Sequence, residues 1–322
     1  MATKVATSAD SARADLEQFR REHGAWTAMS IHLGDGLYTL DPRPDLRLLR
    51  LVQIASDLTN KPLDKVRVLD LACLEGHYAI EFALQGAEAV GIELRDTHLA
   101  KAEFAKRQLG LQRVSFQRDD VRNLSRDVYG EFDIVICSGI LYHLDIPDVF
   151  DFVRRCYEVC TRVAIFDTQI ALSPRDTVRD GSDVYHGLWY REHEENTDRE
   201  ARLRNLWASV DNTRAFWFTH ASLSNLMAKV GFSSFYECLD PYVSVGEDRR
   251  TFVAIKGLRV EVRSSPATNE AAPAQSPELN TIAVDPVQGR RGGVVGIVKT
   301  HLPKPMKSLA RRLLGARRGD AA

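Results

Sequence analysis

No apolar run in this sequence approaches the ~20 residues that span a bilayer; the longest, Val294 to Val298, has a glycine inside it. Acids and the lack of an apolar core at the N-terminus argue against a secretory leader. Cysteine is scarce and odd in number: Cys73, Cys137, Cys156, Cys160 and Cys238 make five, most of them in apolar stretches where a free thiol packs as a small hydrophobe. That excludes a disulfide scaffold and points to a reducing, cytoplasmic setting. HExxH, CxxC and compact carboxylate clusters are missing, so no metal is expected, and Cys156 and Cys160, four apart, read as helical core. The glycine-rich GxGxxG of a dinucleotide site is missing as well.

Excess positive charge is missing from most of the chain. Eleven Lys+Arg stand against five Asp+Glu from Arg259 onward, leaving 32 against 39 before it. A mildly acidic body does not suit DNA, whose phosphates need clustered Lys and Arg. Hydrophobic residues at 44% and charged residues at 27% are ordinary globular values, enough for a proper core in a chain of 322 residues.

From Lys65 the sequence alternates between strand-like and helix-like runs: VRVLDLA, HYAIEFALQG, AVGIEL, HLAKAEFAKRQLG, VSFQ, FDIVICSG, DVFDFVRRCYEVC, RVAIFDT. Gly86 and Gly110 fall where helices stop. This alternation predicts an α/β fold with a doubly wound, mostly parallel sheet. Ala221 to Val230 reads as a further helix, with SFYECL and TFVAIKG as closing strands. The expected organisation is a helical N-terminal extension over 1–62, a domain over 63–258 with a polar, aromatic cap insertion over about 170–216, a disordered linker over 259–289 and a basic tail over 290–322.

Open parallel sheets bind ligands at strand carboxyl ends. The first such loop, Asp70 to Gly76, is led by an acid, and Glu93 ends the next strand, where a carboxylate can accept both hydroxyls of a ribose. Asp70 and Glu75 would repel a pyrophosphate, so a cationic ligand suits the loop better. At these residues the chain resembles the class I S-adenosylmethionine-dependent methyltransferases, a seven-stranded Rossmann-like family. The resemblance runs from Val66 to Gly257. It implies S-adenosylmethionine as cofactor, held by Asp70, Ala72, Gly76, Glu93, Asp120, Val121 and Cys137. The family's first two loop glycines are here Ala72 and Leu74, and Leu74 would be strained if its backbone needed positive φ.

His143, in GILYHL after the fourth strand, lies in the zone facing the transferred methyl. It is the candidate general base, with Tyr142 shaping the pocket; the alternative is that both pack against the adenosine or cap the next helix. Asp145 and Asp148 read as helix-capping acids around Pro147. The cap offers His186, Trp189, Tyr190 and, at its end, His220 to bind a substrate, with Trp207 and Trp217 nearby; the alternative is that the tryptophans only anchor the cap. These features point to O-methylation of a small molecule, sugar or glycan precursor. The LYH element is also similar to enzymes that modify wobble uridines in transfer RNA, and a non-catalytic cofactor-binding scaffold at a membrane is the remaining alternative.

Trp26 to Leu40, with Gly34 and Gly36, reads either as a lid or as an arm tied down by Trp26 and Tyr38. In the tail, Met306, Leu309, Ala310, Leu313 and Leu314 share one helical face, and Lys307, Arg311 and Arg312 lie off it. Such a helix within 290–318 suits peripheral contact with an anionic membrane surface on its inner, cytoplasmic face, docking on the domain being the alternative.

Overall fold

The computed structural model describes residues 8–271 apart from residue 245. The latter part of the linker and all of 290–322 lie outside them. The N-terminal extension holds α1 (Ser8–His23), a hairpin of β1 (His32–Gly34) and β2 (Leu37–Tyr38), and α2 (Leu46–Leu58). The extension is therefore not wholly helical as expected, because Gly34 and Gly36 take positive φ and turn the chain into a hairpin. Asp45 caps α2, its carboxylate accepting from the Leu48 N–H at 2.9 Å.

The domain then alternates as the periodicity requires: β3 (Arg67–Leu71), α3 (His77–Leu84), β4 (Glu88–Glu93), α4 (Asp96–Gln108), β5 (Val114–Arg118), the single turn α5 (Arg126–Tyr129), β6 (Phe132–Ser138), α6 (Asp148–Val159) and β7 (Cys160–Gln169). Cys160 opens β7 instead of closing α6, so the two thiols sit on different elements, both buried. The insertion is a three-stranded antiparallel sheet of β8 (Asp176–Asp180), β9 (Asp183–Arg191) and β10 (Arg214–Phe218), with α7 (Arg199–Arg204) between its last two strands. It ends at Phe218, two residues past the expected boundary. α8 (His220–Val230), β11 (Ser234–Glu237) and β12 (Arg249–Ile255) complete the domain. Residues 259–271 of the linker are exposed and carry one short turn at Pro266–Asn269.

The seven-stranded sheet has the order β11-β12-β7-β6-β3-β4-β5, and β12 alone runs against the others. Strands buried on both faces need near-continuous apolar side chains, and Ile134, Val135, Ile136 and Cys137 on β6 supply them with 0% exposure. The chain leaves β3 toward β4 and β5, then returns to β6 on the other side. That reversal opens a crevice at the carboxyl ends of β3 and β6.

Candidate functional site

A cavity of about 300 Å³ occupies this crevice. Asp70, at the end of β3, lines it, and its carboxylate accepts from the Ala79 N–H of α3 at 3.2 Å. Burial raises its pKa to about 8, opposed by that hydrogen bond and reinforced by nearby Glu93. The loop beyond it takes the conformation that glycine would make easy: Ala72 has φ 53° and Leu74 φ 49°. Each left-handed residue costs on the order of 1–2 kcal/mol. Glu93 offsets part of this, its Oε2 accepting from the Leu74 N–H at 3.1 Å while Oε1 accepts from the Arg95 N–H at 2.8 Å. Burial pushes the Glu93 carboxyl upward, but His98, 3.6 Å away, and Arg95 outweigh it and keep the group below its ordinary value. Both oxygens thus stay anionic beside the cavity.

Asp120 and Val121 also line the cavity. Arg122 donates to Asp120 through Nε at 3.0 Å and a terminal nitrogen at 2.6 Å. Burial would raise the Asp120 carboxyl, and Arg122 holds it below the usual range instead. Gly76 and Cys137 are not on the cavity wall. Gly76 has φ 83°, and a Cβ there would lie 2.7 Å from the Phe116 ring, so glycine serves the packing of α3 against β5. Cys137 is sealed within the core at the end of β6, and Ser138 and Gly139 face the cavity in its place. Glu75 turns away as well. Fully buried, it pairs with Lys101 at 3.0 Å and accepts from the Thr27 and Ala28 N–H groups at 2.8 and 3.1 Å. This carboxylate fastens the N-terminal arm, so that Ala28 and Met29 become cavity wall and buried Trp26 packs on Phe104.

Tyr142 and His143 also line the cavity, in a short helical turn after β6. His143 Nδ1 lies 2.9 Å from each carboxylate oxygen of Glu192, the residue following β9. The Tyr142 hydroxyl accepts from Arg249 at 3.2 Å, and Arg249 also donates to Asp167 at 2.6 Å. Arg47 lines the same corner with its Nε 3.4 Å from Asp167. Residues 206–212 form another part of the cavity wall. Arg95, just beyond Glu93, donates to the carbonyls of Leu203, Asn205 and Ala208, and Arg122 reaches Asp211 at 2.5 Å.

The four residues expected to bind substrate, His186, Trp189, Tyr190 and His220, do not line the cavity. The period-two alternation of β9 sends Trp189 inward against Phe216, under the Arg214 guanidinium, and Tyr190 to the other face, stacked on Trp217 at 4.4 Å. The His186 N–H is spent on the Ser222 hydroxyl, and exposed His220 sits over Phe252. Trp189 and Trp217 are therefore anchors, whereas Trp207, 63% exposed, does line the cavity from the closing segment. Glu192, Arg47 and Arg249 were not legible as site residues, since each becomes one through a contact distant in sequence, whereas Arg95 and Arg122, two residues from Glu93 and Asp120, were missed although the adjacent acids marked them. Asp145 and Asp148 sit at the start of α6, where Asp148 also pairs with Arg122 at 3.1 Å. Among the described residues, no group of three or more His, Cys, Asp or Glu could hold a metal ion, and no helix is long and apolar enough to cross a membrane.

Residues 62–205 match the family model described as a methyltransferase domain. The chain is 28% identical over 120 residues to the ubiquinone biosynthesis O-methyltransferase of Acinetobacter baumannii (strain AYE), covering 37% of this chain and 46% of that one. To the enzyme so named from Pseudomonas putida (strain GB-1) it is 31% identical over 93 residues, 29% and 39% of the two chains. The chain thus matches less than half the length of these curated relatives. The solved N-terminal domain of EvdMO1, crystallised in the presence of SAH and D-fucose, shares the fold with a TM-score of 0.60 and 20% identity over 77% of this chain and 97% of that one. Residues 62–205 form a methyltransferase domain of the class I, S-adenosylmethionine-dependent kind. The lining fits that cofactor: Asp70 would offer a carboxylate to its cationic end, Glu93 two oxygens to a ribose, and Arg47 a cation to an amino-acid carboxylate.

Proposed function

We propose that the chain methylates a hydroxyl oxygen of a small molecule, with a sugar or glycan precursor as the leading acceptor class. The observation that carries this reading is an imidazole, His143, lining the same cavity as Asp70, Glu93 and Asp120. The bound cofactor supplies an electrophilic methyl group on a sulfonium. The chain's own residues align the acceptor, exclude water beneath residues 205–212, and take up the hydroxyl proton at His143. Asp70 and Glu93 hold the cofactor's amino-acid and ribose ends, and Asp120 with the Val121 amide holds the adenine.

Calorimetry should detect binding of S-adenosylhomocysteine, and its absence would overturn the reading. D-fucose accompanied the EvdMO1 domain in its crystal, so sugars open the acceptor panel. Transfer of labelled methyl to that panel identifies the acceptor, and His143→Ala should lower kcat ~100-fold or more with cofactor affinity retained. Peripheral membrane contact rests on the sequence pattern of 290–318. Deleting 290–322 should abolish co-sedimentation with anionic vesicles and leave turnover of a soluble acceptor intact; equal sedimentation of the truncated chain would refute the anchor.

A further inference from the structure

Several carboxylates in or beside this cavity are paired with a guanidinium or ammonium: Glu75 with Lys101, Asp120 with Arg122, Asp167 with Arg249. Glu192 is not. Its side chain is 1% exposed, and among the described residues no Lys or Arg pairs with it; its one ionisable partner is His143. A buried carboxylate whose ionisable partner is an imidazole is placed to meet positive charge on that ring, and the reaction, by delivering a proton to the base, would put it there.

We infer that Glu192 is the positioning residue for His143, acting through the imidazole and coupled to the segment that closes the cavity. This rests on the reading of His143 as the base. With both carboxylate oxygens 2.9 Å from Nδ1, that nitrogen carries the ring proton, since a carboxylate can only accept. Nε2 is left bare and is the atom that takes a proton. As the acceptor oxygen bonds to the methyl carbon, the carbon–sulfur bond breaks with its electron pair on sulfur. The hydroxyl proton passes to Nε2, and the imidazolium so formed is neutralised by Glu192. The third contact comes from the closing segment: the Ser209 N–H donates to Glu192 Oε2 at 2.9 Å, and Asn212 donates to the His143 carbonyl at 2.9 Å. The closing segment thus braces both the carboxylate and the main chain that carries the base.

Glu192→Gln should lower kcat on the order of 100-fold. The acceptor KM and the S-adenosylhomocysteine Kd should stay within about twofold, and Glu192→Asp should recover part of the loss. The double variant His143→Ala with Glu192→Gln should be no slower than His143→Ala alone, because residues acting as a unit are not additive. Nitrogen-15 NMR of the wild-type ring gives a readout independent of turnover and of any variant's folding: Nδ1 protonated and Nε2 bare. The opposite tautomer would overturn the inference, as would wild-type kcat in Glu192→Gln or an additive double variant. An unchanged kcat in His143→Ala would instead remove the base itself, and so separates failure of the functional reading from failure of this one.

Discussion

The part of the cavity lining built from strand ends and the part gathered from elsewhere in the chain are assembled by different means. The first takes Asp70, Glu93, Asp120 and Val121 from the ends of consecutive parallel strands, and the backbone path sets their positions. The second gathers Arg47 from α2, His143 from the turn after β6, residues 206–212 from the insertion and Arg249 from β12, with Glu192 behind His143. Each is placed by a particular side-chain contact. The difference shows in what each wall tolerates. The first keeps its left-handed loop with Ala72 and Leu74 in place of glycine, because Glu93 holds the Leu74 amide. The second has no such slack, since one lost side chain removes one clasp.

The sharpest way to break this contrast is at a side chain on which the strand-end wall does depend. Lys101→Met strands the buried Glu75 carboxylate and frees the arm bearing Ala28 and Met29. It should cost about 3–5 kcal/mol of stability, read as a large fall in Tm. Next in size, Glu93→Ala removes the ribose carboxylate and the support of Leu74, and calorimetry should show ~100-fold weaker S-adenosylhomocysteine binding.

Asp70 gives a pH test. Its carboxyl is raised to about 8 in the folded chain from an ordinary 3.8, so its contribution to stability is fully present below the ordinary value and is lost as pH rises toward 8. A cationic ligand needs the carboxylate, so binding below pH 8 releases a proton. Affinity should climb about tenfold per pH unit up to the folded pKa and then level off, and Asp70→Asn should flatten the profile. The smallest effects separate cavity from scaffold within the insertion: Trp207→Ala should weaken S-adenosylhomocysteine binding about fivefold. Tyr190→Ala and His220→Ala should leave kcat and Kd within about twofold.

The same contrast explains what could be read in advance. Strand-end acids recur at spacings fixed by strand and helix length, so Asp70, Glu93 and Asp120 were visible from the residues between them, as was the parallel sheet. His143 was legible because it follows directly on the strand FDIVICS. Gly76 was legible as a necessary glycine, but its reason lies in the Phe116 ring, which the sequence places forty residues away. The insertion misled because its aromatics suggested binding, whereas strand alternation commits Trp189 to the core and Tyr190 to Trp217. Glu192 sits in a polar run beside Arg191, His193 and Glu194, and nothing local marks it out. Only the return of the chain past His143 does.

The clasp between Glu75 and the N-terminal arm sets a limit on how this chain can be cut. The segment 62–205 that matches the methyltransferase family carries the strand-end acids, His143 and Glu192. It lacks Ala28, Met29 and Arg47 on one side and residues 206–212 and Arg249 on the other, all of them cavity wall. Excised at those bounds, it would also leave Glu75 and Lys101 facing water where Thr27 and Ala28 had been. For expression and engineering, the smallest working unit therefore begins before Trp26 and runs through β12, and grafting the family segment alone onto another scaffold would carry over half a binding site.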